Sequence, residues 1–391
     1  MIRVFSSRLK WDSPANPLAA LLAEKRRAGA RVLDLTESNP THAGFEYPGD
    51  EILAALADGR SLRYDPAPRG LHSAREAVSQ YYAQRGVAAD PSRILLTAST
   101  SEAYSYLFKL LADPGDEILV PRPSYPLFEF LAAMESVQIR QYPLRFDGAW
   151  YIDFEALEHA AGPRARAIVV VNPNNPTGSF LKLQERARLE EFSAARGLAI
   201  LSDEVFSDFA LAPDPARVAT LAGGCNALTF SMSGLSKIAG LPQMKLGWIV
   251  AGGPKHEAAL NGLEWIADTY LSVAAPVQLA LPRLLGAAEP VRAQILERTR
   301  ANLAFLRGAI APASPFQALP VEGGWYAILQ VPRVRGEEQW ALDLLDLHDV
   351  LVQPGFFYDF DAEAFLVLSL LTPSQVFEQG VDQVLHLAEN T

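Results

Sequence analysis

The chain has 391 residues, 49% of them hydrophobic, which is enough to bury a sizeable core and to form two domains. Its formal net charge of −11, from 34 Lys and Arg against 45 Asp and Glu, argues against a nucleic-acid-binding face, which needs clustered cations, and favours small-molecule partners. The single cysteine, Cys225, excludes an intrachain disulfide and a cysteine-based zinc site, and the six histidines form no HExxH pair, so no metal site is expected.

The N-terminus MIRVFSSRLKWDSP breaks its apolar run with Arg and Lys and lacks a secretory h-region. No segment approaches the ~20 consecutive apolar residues of a membrane span. A cytoplasmic α/β enzyme is the resulting expectation. Residues 1–45 read as an arm packing with the C-terminal unit, and contain a turn-rich SNPT whose Asn39 is a candidate substrate contact. Next comes YDPAPRGLHSAREAV, in which Tyr64, Arg69 and Gly70 precede a helix and Tyr64 offers a hydroxyl for a phosphate.

From residue 94 onward, short apolar runs alternate with amphipathic stretches. Strands are expected at 94–97, 117–121, 137–142, 167–172, 198–203, 227–231 and 246–251. Helices are expected near 102–112, 126–133, 154–160, 183–195 and 255–263. This alternation predicts a seven-stranded, mostly parallel sheet sandwiched by helices, in a large domain over 46–281. Residues 282–391 read as a smaller α+β domain, opening with a helix near 290–308 and carrying strands in GGWYAILQV and FLVLSLL.

Polar residues gather just past the carboxyl ends of the predicted strands, the edge where open α/β sheets bind ligands. Ser99, Thr100 and Ser101 stand between a strand and a helix, where hydroxyls, free N–H groups and the helix dipole make a phosphate seat; simple helix capping by Ser101 is the alternative. Tyr125, in PRPSYPLF, offers a ring to stack on an aromatic ligand, or is a core tyrosine. Asn175, in NPNNPTG, offers an amide donor or a structural turn. Asp203 ends GLAILSD and is either a carboxylate at the sheet rim or a helix cap, with Glu204 beside it solvent-facing or structural. Lys237, in SMSGLSKIAGLPQMKLGWIV, is an ordinary surface lysine unless a pocket lowers its pKa enough to make a nucleophilic amine.

As an ordered set, Tyr64, Ser99 to Ser101, Tyr125, Asn175, Asp203 and Lys237 resemble the active site of fold-type I enzymes dependent on pyridoxal 5′-phosphate (PLP), in the class I/II aminotransferase family, and the resemblance covers nearly the whole chain. It implies that Lys237 is the Schiff-base lysine and proton shuttle, Asp203 the partner of the pyridine nitrogen, Asn175 the donor to the phenolate oxygen and Tyr125 the stacking ring. Thr100 and Ser101, with Ser99, would hold the phosphate. The family is commonly a homodimer, and Tyr64 would then reach the neighbouring subunit's phosphate.

Four departures accompany the resemblance. Phe206 stands where the family usually has tyrosine, so a hydroxyl to the phenolate oxygen is missing. Lys245 replaces the phosphate-binding arginine, keeping the cation without its bidentate fork. Gly234 replaces a serine, leaving Ser231, Ser233 or Ser236 as substitutes. Val367 occupies the place of the arginine that clamps a substrate carboxylate, which leaves Arg69 and Arg122 as candidate replacements.

The activity implied is transfer of an amino group from an amino acid or amine to a 2-oxo acid by a ping-pong mechanism. A PLP-dependent lyase or cyclase is the alternative raised by Val367. A regulatory protein built on the same fold is disfavoured by the absence of a helix-turn-helix pattern or basic face. Trp11, Phe45, Trp325 and Phe356 are further candidates for a pocket wall, or else core residues.

Overall fold

A computed structural model describes residues 5–8, 16–362 and 364–387; Trp11 lies outside them. Strand β1 (Leu33–Asp34) belongs to the N-terminal arm. The large sheet comprises β2 (Ile94–Thr97), β3 (Glu117–Arg122), β4 (Gln138–Phe146), β5 (Trp150–Ile152), β6 (Ala165–Val171), β7 (Ala199–Asp203), β8 (Thr229–Gly234) and β9 (Gly247–Gly252). Their spatial order is β2-β9-β8-β7-β6-β3-β4-β5. A smaller antiparallel sheet is formed by β10 (Gln317–Ala318), β11 (Tyr326–Gln330), β13 (Gln353–Pro354) and β14 (Phe365–Ser369), in the order β10-β11-β14-β13. Strand β12 (Val350–Leu351) pairs in parallel with β1.

The large sheet contains the seven expected strands and a short eighth, β5, paired antiparallel to β4. The run β8-β7-β6-β3-β4 is parallel throughout, and its central strands are apolar on both faces because helices cover both. Strand β9 runs antiparallel to β2 and β8, so its first residue, Gly247, arrives at the same edge as the carboxyl ends of the others.

The boundary expected at residue 282 falls inside one continuous helix, Ala275–Ala309. Pro282 and Pro290 suggest a break, but both sit on the exposed face, and the buried stripe through Val277, Leu281, Leu284, Ala288, Val291, Ile295, Leu303 and Leu306 holds the helix together. This helix packs on Gly49–Leu56 and His72–Ala83 through its first half and on Ser374–Leu387 further along, tying the two units together.

The arm packs against the C-terminal unit. Leu18 and Leu35 enter that unit's core, and β1 extends across to β12. Where the arm, the long helix, the small sheet and the loop after β7 meet, Ala43, Phe45, Phe206, Phe209, Ile295, Trp325, Tyr326 and Val367 form a separate apolar cluster.

Candidate active site

A cavity of about 320 Å³ opens at the carboxyl edge of the large sheet. Its lining includes Ser99, Thr100, Ser101, Tyr125, Asn175, Asp203, Phe206, Ser236, Lys237 and Lys245, so residues scattered over nearly 150 positions of sequence converge on one space. They converge because β2, β3, β6, β7 and β8 end on one rim and β9 begins there.

Lys237 sits in the single helical turn Leu235–Ile238 that follows β8. Burial lowers its amine from the usual 10.5 to about 8, against the opposing attraction of Asp203. Its Nζ lies 5.0 Å from the ring centre of Trp325 and 5.7 Å from that of Phe206. A lysine so placed is a readily deprotonated amine.

Asp203 is the last residue of β7, and one of its oxygens accepts from the Val205 N–H at 3.2 Å and the other from the Tyr104 hydroxyl at 3.1 Å. Burial pushes its carboxyl up to about 6, with these donors and Lys237 opposing. Glu204 is not solvent-facing. It is 1% exposed and accepts from Ser202 Oγ, Thr220 Oγ1 and the Leu221 N–H, and burial raises it to about 7; the adjacent strand position turns it to the other side of the sheet, where it anchors the loop to Leu221.

The asparagines of NPNNPTG divide by their partners. Asn172 donates to Val218 O and accepts from the Leu181 N–H, and Asn174 donates to Pro123 O and accepts from Thr177. Asn175 is buried, lines the cavity, and leaves its side-chain carbonyl without a partner among the described residues. That oxygen can only accept, so the donor role expected of Asn175 falls to its amide N–H group.

Helix capping at the phosphate seat falls to Ser99 rather than Ser101: its hydroxyl accepts from the Glu102 N–H at 3.2 Å, because in STSE it precedes the first helical residue of Thr100–Leu111. Thr100 and Ser101 are thereby left at the helix start with their side chains at the cavity. Of the three serines considered as substitutes at Gly234, only Ser236 lines the cavity. A Cβ at Gly234 would lie 2.8 Å from Gly247 Cα and 2.9 Å from Leu246 O, so a serine there does not fit this backbone. Lys245 lines the cavity from an exposed, left-handed position with φ 49°.

Several expected substrate contacts lie elsewhere. Arg69 is drawn away by Glu264 at 2.6 Å and by Asn261, both on the helix His256–Tyr270. Arg122 is paired with Asp361 at 2.6 Å and does not line the cavity. Asn39 spends its side-chain oxygen on the N–H and hydroxyl of Thr41, and Ser38 faces the cavity in its place. Tyr64 is 84% exposed and borders a different cleft of this chain. Trp325 and Phe45 are buried in the apolar cluster, and Phe356 is exposed outside the cavity.

Tyr104, Ser38, Tyr326 and the apolar Leu127, Phe128 and Leu131 line the cavity without having stood out in the sequence. Tyr104 was legible in part, since it lies four residues past Thr100 on a helical face. Ser38 and Tyr326 come from the arm and the small sheet, and nothing local marks them. Among the lining residues, Lys237 and Lys245 are the only cations; no guanidinium is present, and Val367 is buried in the cluster behind Phe206 and Tyr326.

Residues 30–381 match the family described as Aminotransferase class I and II. The chain belongs to this family. It is 28% identical to the glutamate-pyruvate aminotransferase AlaA of Haemophilus influenzae, covering 84% of this chain and 83% of that protein. It is 27% identical to an alanine aminotransferase of Mycobacterium bovis, over 94% of this chain and 88% of the relative. Its fold superposes on the alanine aminotransferase of Pyrococcus furiosus with a TM-score of 0.87, 22% identity and coverage of 99% and 100% of the two chains.

The protein is therefore a PLP-dependent aminotransferase of fold type I, an enzyme of amino acids and 2-oxo acids, and the relatives give no support to the lyase alternative. The residues present fit the cofactor: an amine of lowered pKa, an enclosed carboxylate, a buried asparagine amide and a hydroxyl-rich helix start share one cavity.

Proposed function

We propose that this aminotransferase moves an amino group from an amino acid to a small 2-oxo acid by a ping-pong cycle centred on Lys237. The observation carrying this reading is the pairing of Lys237 and Asp203 in one cavity, with the amine brought to about 8 by burial.

Lys237 would hold the cofactor covalently, Asp203 would face its pyridine nitrogen, Asn175 would donate to its phenolate oxygen and Tyr125 would stack on its ring. Thr100, Ser101, Ser99, Ser236 and Lys245 would hold its phosphate, with a cation but no guanidinium fork. When bound, PLP supplies an electron sink for the bond broken at the substrate's α-carbon. Lys237, once free of the cofactor, carries the proton removed from that carbon, a task its lowered pKa suits. Phe206 and Trp325 flank the amine and limit water on that side.

Glutamate, alanine and pyruvate are the first substrates to try, because the relatives carry those names. Their carboxylates meet no arginine on this chain's cavity lining. Ser38 and Tyr326, which face each other at the wall, are the available donors, so KM values toward the millimolar end of the usual range, about 1 mM, are expected.

A homodimer is part of the proposal. Leu62, Tyr64 and Trp265 are 90%, 84% and 79% exposed, and a second copy would cover them while taking the Tyr64 hydroxyl to its own phosphate seat.

The deciding test is the visible absorption of the purified protein, repeated for Lys237→Ala and after adding single amino acids. A band that needs Lys237 and bleaches with alanine or glutamate supports the reading. A band unchanged in Lys237→Ala would overturn the role given to that residue, and bleaching by neither donor would overturn the substrate choice.

A further inference from the structure

We propose that Tyr104 is a positioning residue that fixes the Asp203 carboxylate toward the cofactor ring and so sets how tightly the cofactor is retained. The inference rests on the role given to Asp203 above. Tyr104 is 3% exposed and donates from its hydroxyl to Asp203 Oδ2 at 3.1 Å. Its ring is wedged edge-on against Phe128, with centroids 5.4 Å apart, and tilted against Phe108 at 5.9 Å. The phenol is therefore held by packing, and the hydrogen bond does not have to order it.

The tie also links two parts of the site. Thr100 and Tyr104 are separated by four residues on Thr100–Leu111, hence on one helical face. The helix places its first residue at the phosphate seat and its next turn on Asp203. A single rigid element thus sets the spacing between the phosphate seat and the hydroxyl that holds Asp203.

Among the described residues, Asp203 is the acceptor for the Tyr104 proton. Tyr142, whose phenol bears electrostatically on Tyr104, donates its own hydroxyl to Val169 O at 2.7 Å. On the other side, Asp203 is faced by the Val205 N–H from its own loop and by Lys237 across the cavity. Burial and the neighbouring carboxylate raise the Tyr104 phenol well above its ordinary value, so it remains a donor throughout the working pH range.

The test is PLP binding to the cofactor-free protein, followed by fluorescence, for wild type, Tyr104→Phe, Asp203→Asn and the double variant. Because a hydrogen bond to a charged group is lost while the ring stays, Tyr104→Phe should bind PLP about tenfold more weakly. The acid limit of binding should also move upward, since the carboxylate loses a donor that favours its ionised form. In the Asp203→Asn background the same change should have little further effect, which a general packing role would not predict.

Tyr104→Phe binding PLP within about twofold of wild type, while Asp203→Asn binds weakly, overturns this inference alone. Equal losses from Tyr104→Phe in both backgrounds overturn it as well. Asp203→Asn binding like wild type overturns instead the role assigned to Asp203.

Discussion

The two ends of the cavity are built by opposite means. At the end formed by β2, β6, β7 and β8, polar groups stand on strand termini and short turns: Thr100, Ser101, Asn175, Asp203 and Lys237. At the other end, Ser38 from the arm and Tyr326 from the small sheet close over Phe206, backed by Trp325, Phe209 and buried Val367. The first end carries charge and hydrogen-bonding capacity on rigid elements. The second carries shape and apolar surface contributed by segments distant in sequence. The difference teaches that reactivity belongs to the sheet rim, whereas choice of substrate belongs to the wall that the arm and C-terminal unit supply.

The largest effect should come from the rim. Lys237→Ala should lower transamination by at least about 10⁴-fold, since it removes both the covalent attachment and the proton carrier. Labelling of the amine in the cofactor-free protein should have its midpoint near pH 8, reactive above and protected below, because burial has lowered its pKa. A midpoint above pH 10 would mean that the amine is solvated and that the contrast between the two ends has been overstated.

Asp203→Asn should cost about 10²-fold or more in turnover, by removing a fixed charge from an enclosed site. Its effect on stability should have the opposite sign. The carboxyl titrates at 3.8 when free and at about 6 here, so its contribution to folding is present below pH 3.8 and lost as pH rises through 6. At pH 8 the cofactor-free Asp203→Asn protein should therefore be more stable than wild type, by about 3 kcal/mol, in denaturant titration. A destabilised variant would show that the carboxylate holds the fold together rather than waiting for a ligand.

The same difference explains what could be read from the chain. The rim was legible because strand periodicity places residues such as Asp203 at a strand end, and because NPNNPTG and STSE carry local signals. Even there, which asparagine is free needs the structure: Asn172 and Asn174 are as polar as Asn175, and only their partners separate them. The far wall was not legible, since Ser38 and Tyr326 meet only after the arm and the C-terminal unit pack together. The 282 boundary falls inside a helix because a long buried stripe carries that helix through Pro282 and Pro290 despite their cost. Arg69 and Arg122 lie beside the motifs in sequence, but Glu264 and Asp361 claim them.

At the far wall, Val367→Arg should not restore a carboxylate clamp. The position is fully buried among Phe206, Tyr326, Tyr358 and Leu371, and an unpaired guanidinium there should destabilise the protein by about 3–5 kcal/mol. A soluble variant with the wild-type melting temperature and a lower KM for pyruvate would break the contrast, by showing that this wall accepts charge. A smaller effect is expected from Phe206→Tyr, which puts a hydroxyl at the boundary between the two ends. One added hydrogen bond to the cofactor's phenolate oxygen should lower the pH midpoint of the visible band by about one unit.

The smallest effect should be that of Arg122→Gln. The guanidinium and Asp361 are both substantially exposed, and Arg145 also donates to Asp361, so removing one member of this surface network should change stability by less than about 1 kcal/mol. Because Arg122 lies outside the cavity lining, KM for the 2-oxo acid should stay within about twofold of wild type. A tenfold rise in KM at constant turnover would mean that Arg122 leaves Asp361 when a carboxylate arrives. In that case the far wall would acquire its cation on binding, and the division between a charged rim and an apolar wall would hold only for the empty cavity.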